Sequence, residues 1–107
     1  PSDSGGVTLQ GMVFDADTNN PISGALVFIL NPGVTFEQWK NGNYADKDVA
    51  ASVTAGNNGK YKITDIPRDT LFSIVIAADG YLVTYGDNLK FETNTSSPVE
   101  QDFGLSK

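Results

Sequence analysis

The sequence contains no cysteine and no histidine, and only one tryptophan and one methionine. Without cysteine there are no disulfides, no thiolate nucleophiles and no cysteine-ligated zinc. Without histidine the chain lacks the commonest general base, the commonest transition-metal ligand and every Ser-His triad. Positive charge is also scarce: seven Lys and Arg stand against thirteen Asp and Glu, a formal net charge of −6. That balance repels a phosphate backbone and offers no basic stripe, so nucleic acid is excluded as a partner. No apolar run approaches the ~20 residues of a membrane span, and no membrane insertion is expected. Nor does any stretch carry the 3.6-residue period of an ordinary amphipathic helix.

What is present is alternation. With 107 residues, 39% of them hydrophobic, the chain is long enough for one domain to bury about two-thirds of its unfolded surface. Pro1 to Gly6 reads as a linker remnant of a longer protein, and residues 7–107 as the domain itself. Val7, Leu9, Gly11 and Val13 alternate with Thr8, Gln10 and Met12, the period of a half-buried strand. The Asx-rich stretch from Asp15 to Pro21 turns the chain, and Gly24 to Leu30 follows as the second strand. Val49–Thr54 and the alternation around Tyr61 and Ile63 flank Gly56-Asn57-Asn58-Gly59, whose composition predicts a hairpin turn.

Pro67 ends the Tyr61 strand because it cannot donate to a ladder. Leu71 to Ala78 is apolar on both parities except at Ser73, which predicts a central strand covered on both faces. Asp79-Gly80 predicts a two-residue turn with Tyr81 to Tyr85 pairing back. Two further strands are expected, one through Leu89, Phe91 and Thr93 and the last through Val99, Gln101, Phe103 and Leu105. Seven or eight such strands predict an all-β, two-sheet antiparallel sandwich.

Residues 31–49 break this rhythm with a long loop opening on Asn31-Pro32-Gly33. One helical turn is expected at Thr35–Lys40, with Thr35 as its cap and Phe36 and Trp39 on one face.

Four segments carry a recognisable pattern: Leu9-Gln10-Gly11-Met12-Val13-Phe14-Asp15, Pro21-Ile22-Ser23-Gly24-Ala25-Leu26-Val27, Gly59-Lys60-Tyr61-Lys62-Ile63-Thr64-Asp65-Ile66-Pro67, and Ala78-Asp79-Gly80-Tyr81. The chain resembles the carboxypeptidase regulatory-like domain family, of the transthyretin-like (prealbumin-like) sandwich class, over about residues 7–105. The resemblance implies a non-catalytic accessory module of a larger extracytoplasmic protein, secreted or at a cell surface and of the hydrolase or peptidase kind, with a spacer, folding or docking role toward the other domains of its parent. It supplies no catalytic residues and no cofactor. The chain departs from the family pattern at Asn31 to about Ala50, which is longer than the family's usual link. Transthyretin-like hydroxyisourate hydrolases depend on histidines that are absent here. The Lys–Asn crosslink of collagen-adhesin repeats needs a first-strand Lys, which Val7–Asp15 lacks.

Several residue groups are candidate sites. Asp15, Asp17 and Asn19 imitate the opening of a calcium loop, but Asn20 and Leu26 stand where an EF-hand needs Gly and Glu, and an Asx turn explains them without metal. Asp46 with Asp48, or Asp65 with Asp69, offers paired carboxylates with no spacing that demands a cleft. Asn94-Thr95-Ser96 fits a glycosylation acceptor. Phe36, Trp39 and Tyr44 are the candidate ligand-binding residues, a platform for a carbohydrate or peptide. In the competing reading the loop is a lid, with Phe36 or Trp39 covering an apolar patch of Met12, Phe14, Leu26 and Phe28.

Overall fold

The computed structural model describes residues 6–107, Asn88 by its backbone alone. The expected linker therefore lies, save for Gly6, outside the described residues. The elements in chain order are β1 (Val7–Asp15), β2 (Leu26–Leu30), α1 (Phe36–Asn41), a 3-10 turn (Asp46–Asp48), β3 (Val49–Thr54), β4 (Lys60–Ile66), β5 (Phe72–Ala77), β6 (Thr84–Leu89), β7 (Val99–Glu100) and β8 (Phe103–Leu105). They form two four-stranded sheets. The first has β1 at its centre, between β4 and the C-terminal pair β7 and β8, and the second runs β3-β2-β5-β6. The all-β two-sheet sandwich is thus the observed fold.

Alternation explains the core. Leu9 and Val13 of β1, Val27 and Ile29 of β2, Tyr61 and Ile63 of β4, and Phe72, Ile74 and Ile76 of β5 meet between the sheets. The other parity of β5 places Val75 on the outer face of the second sheet, in a smaller buried cluster with Leu30 and Trp39. β5 is therefore covered on both sides, as its continuous apolar run predicts. Between Ile29 and Leu30 the β2–β3 register slips, with Ile29 opposite Ala51 but Leu30 opposite Val49. This bulge turns Val49 onto the outer face, where it joins the smaller cluster.

The pairing departs from expectation in several places. The sandwich is not antiparallel throughout, because β7 and β8 both run parallel to β1. They keep one register along it, Leu9 opposite Val99 and Val13 opposite Phe103, so the expected last strand is a single rib interrupted at Gln101–Asp102. At the gap the Asp102 carboxylate accepts the Met12 N–H at 2.9 Å, and Tyr61 Oη donates to the Gln101 carbonyl at 2.5 Å. Gly11 makes this crossing feasible, since a Cβ there would overlap the Gln101 carbonyl.

The Gly56–Gly59 segment forms its tight turn, with Gly59 at φ 76°, but the strands it joins belong to opposite sheets. It is a corner of the sandwich rather than a hairpin. Asp79-Gly80 sits in a turn closed from Tyr81 N–H to the Ala78 carbonyl, and pairing with β5 resumes only at Thr84. Tyr81 is diverted because its hydroxyl donates to Asp15 at 2.8 Å and Leu82 N–H donates to the Ser106 carbonyl. Phe91 forms one bridge to Arg68 instead of a strand. The guanidinium of Arg68 donates to the carbonyls of Thr93 and Thr95, and this fixes the segment as a loop.

Candidate functional site

The long insertion folds onto the outer face of the second sheet. Thr35 caps α1 as expected: its hydroxyl accepts the Gln38 N–H at 3.2 Å, and the Gln38 side chain accepts the Thr35 N–H at 3.1 Å. The reciprocal pair satisfies two N–H groups at the helix start. A third, that of Phe36, donates to the Asp87 carboxylate of β6 at 2.9 Å, which ties the helix to the edge of the sheet.

The three candidate ligand-binding residues have different environments. Trp39 is 5% exposed. Its ring lies 5.1 Å from that of Phe28, and its Nε1 donates to the Ala45 carbonyl at 3.0 Å. Phe36 is half-buried and stacks on Tyr85 at 4.3 Å. Tyr44 is 50% exposed and meets Trp39 edge-on at 5.2 Å. Trp39 is therefore a lid residue over Phe28, Leu30 and Val75. The patch imagined for it needs correction, because Phe14 belongs to the first sheet and packs its ring against Gly104. Side-chain parity marked both phenylalanines as outward-facing, but it did not say that they lie on opposite outer faces.

Between the lid and β5 remains a hollow of about 350 Å³. Phe28, Trp39 and Val75 lie at its base, Tyr44 and Val83 at its rim, and Asp46 beside them. Tyr85, 52% exposed, extends the aromatic surface through its stack on Phe36. No local pattern links Phe36 to Tyr85, or sets Tyr44 and Val83 around one hollow, since each pair is separated by about forty residues or more of chain. A second, almost wholly apolar cleft of about 390 Å³ opens onto the inter-sheet core between β6 and the C-terminal strands, past Ile74, Val99 and Phe103.

Asp15 and Asp69 serve the fold. Asp15 is buried and accepts from Tyr81 Oη, from Asp17 N–H at 2.8 Å and from Thr18 N–H at 3.1 Å. The Tyr81 hydroxyl, then the Asp17 N–H, hold its carboxyl below the usual range against the opposing effect of burial. The same hydrogen bond, followed by burial, raises Tyr81. Burial, then the charge of Asp102, pushes Tyr61 well above the ordinary tyrosine range. The Asp15–Asp17–Asn19 stretch is thus an Asx turn whose leading carboxylate is already occupied. Asp69 accepts from the Thr93 hydroxyl. Among the described residues, no three acidic side chains gather into a group that could hold a metal ion. Asn94 is exposed in the turn closed between Glu92 and Thr95.

The sequence matches no family model and no curated protein. By structure it is similar to catechol 1,2-dioxygenase from Acinetobacter sp. ADP1, at TM-score 0.58 and 18% identity, covering 99% of this chain and 54% of that one. It is similar to 3-chlorocatechol 1,2-dioxygenase from Rhodococcus opacus 1CP, at TM-score 0.58 and 17% identity, covering 100% and 62%. It is also similar to the C-terminal domain of a shaft pilin from Lactobacillus rhamnosus GG, at TM-score 0.57 and 16% identity, covering 94% and 96%. The chain spans little more than half the length of the dioxygenases but nearly all of the pilin domain. Likeness at these identities establishes the β-sandwich fold that the carboxypeptidase regulatory-like resemblance implied.

Proposed function

We propose that the chain is a non-catalytic accessory module of a larger extracytoplasmic protein, of the carboxypeptidase regulatory-like kind, acting as a rigid spacer or docking surface for the parent's other domains. The observation that supports this reading is the likeness, over nearly the whole of both chains, to the C-terminal domain of a shaft pilin. The chemistry of the sequence supports it, because a chain without histidine or cysteine lacks the usual nucleophile activators and proton shuttles. The buried ionisable groups, Asp15 and Tyr61, are engaged in holding turns and strands together. Deleting residues 7–107 from the parent tests the proposal. In a hydrolase or peptidase parent the kcat should persist while folding yield or domain spacing changes; a lost kcat in a folded, substrate-binding parent would refute it.

A second reading, a carbohydrate- or peptide-binding module using residues 31–49, is favoured by the half-exposed rings of Tyr44 and Tyr85. Its test is a glycan array and peptide capture with Tyr44→Ala and Tyr85→Ala, since neither ring is needed to close the core. Signal retained in both variants would remove that surface as the binding site.

A further inference from the structure

The hollow beside the lid has a composition that selects one kind of guest. Its base is aromatic and aliphatic, with Phe28, Trp39 and Val75 below and Tyr44 and Val83 at the rim. Trp39 and Tyr44 meet at 88°, so the Tyr44 ring stands as a wall over the Trp39 floor. The charged side chain in the lining is that of Asp46. Among the described residues the ion pairs are Lys90–Glu92 and Lys107–Asp15, and Asp46 is in neither. Tyr44 holds its place at φ 56° directly after Asn43 at φ 65°. That backbone conformation costs a bulky residue of order 1–3 kcal/mol, and it is spent on a ring left half in solvent. The protein as a whole carries a net charge of −6.

We propose that this corner binds a small quaternary ammonium compound of the choline type, with the cation against the exposed Tyr44 ring above Trp39 and its charge balanced by Asp46. Aromatic faces attract cations through the ring quadrupole, and most strongly where water is excluded. A primary ammonium would bring three N–H donors that need partners, for which the lining offers little beyond the Asp46 carboxylate and the Tyr44 hydroxyl. A sugar would bring several hydroxyls into the same shortage. A methylated cation brings no N–H and buries its methyl groups favourably. The volume is at the small end of ligand clefts, roughly 300–1,000 Å³. Asp46 disfavours guests with an anion close to the cation, and this points to choline itself rather than to betaine or a phosphocholine headgroup. The inference rests on the reading of residues 31–49 as a recognition surface and replaces its carbohydrate or peptide ligand with a small cation.

Calorimetric titration with choline, followed in parallel by the fluorescence of the single Trp39, is the test. Choline should bind about two- to fivefold tighter than its uncharged carbon isostere dimethylbutanol, the factor expected for a partly exposed cation–π contact. Betaine and phosphocholine should bind more weakly than choline. Tyr44→Ala and Asp46→Asn should each lower the affinity severalfold with melting unchanged, while Tyr44→Phe should retain it. Equal binding of choline and the isostere, no choline binding, or Tyr44→Ala with wild-type affinity would overturn the proposal. So would capture by phosphatidylcholine vesicles, or a trimethyllysine peptide held more tightly than choline. Glycan or peptide capture that depends on Tyr44, without choline binding, would sink this ligand and leave the recognition surface standing.

Discussion

Replacing Trp39 by alanine removes the side chain that joins the helical lid to the second sheet, and its surroundings set the cost. The ring is 5% exposed, packs on Phe28 and shares a buried cluster with Leu30 and Val75. Truncating such a residue costs about 3–5 kcal/mol, the cavity left behind included. The Nε1 bond to the Ala45 carbonyl at 3.0 Å lies within that sum and favours its upper half, since the bond contributes about 1 kcal/mol. Against a typical domain stability of about 5–15 kcal/mol, the variant loses a large share. At roughly 4 °C per kcal/mol for a domain of this size, the midpoint should fall by about 16–20 °C. The assay is thermal unfolding followed by circular dichroism, with a urea titration to check that the slope is unchanged. Pairing Trp39→Phe with Phe28→Leu in a double-mutant cycle should return a coupling of about 0.5–1.5 kcal/mol. A midpoint within about 4 °C of wild type, with faster amide exchange confined to residues 31–49, would refute the reasoning. It would mean that the lid opens independently and that the sandwich does not depend on it.

Two further outcomes follow from the first sheet. Gly11→Ala would drive a Cβ into the Gln101 backbone and within 2.9 Å of Asp102 Oδ1. It should cost about 2–4 kcal/mol in urea unfolding as the bonds holding the C-terminal rib are lost, and a wild-type midpoint would contradict the proposed crossing. The depressed Asp15 carboxyl means that the unfolded chain takes up that proton first. Its contribution is therefore complete above about pH 4 and disappears as pH falls through the folded value. Tyr81→Phe should flatten this acid limb in urea midpoints measured from about pH 5 down to pH 2, and an unchanged limb would locate acid sensitivity elsewhere.

Much of the fold was legible because alternation is a local property. The inward residues of β1, β2, β4 and β5 follow from parity, and the two-sided burial of β5 follows from its unbroken apolar run. Thr35 as the helix cap was legible for the same reason, since the box it forms with Gln38 spans a single turn. Strand neighbours were not legible. The turn at Gly56–Gly59 has hairpin chemistry, yet β3 and β4 diverge into different sheets. Its residues specify a reversal of the chain, whereas pairing depends on which distant strand completes the core.

By itself the sequence determined an all-β chain rich in alternating strands, an insertion at residues 31–49 unlike the rest, and a chemistry without imidazole or thiol. Only the tertiary structure decided that β1 and β2 back opposite sheets, that the last strand runs parallel to the first, and that Trp39 is floor while Tyr44 is rim. Periodicity assigns each side chain to a face, but the identity of that face is fixed by contacts between residues far apart in the chain. The hollow between Tyr44, Asp46 and Val83 is one such contact, and it exists only once the lid is folded down.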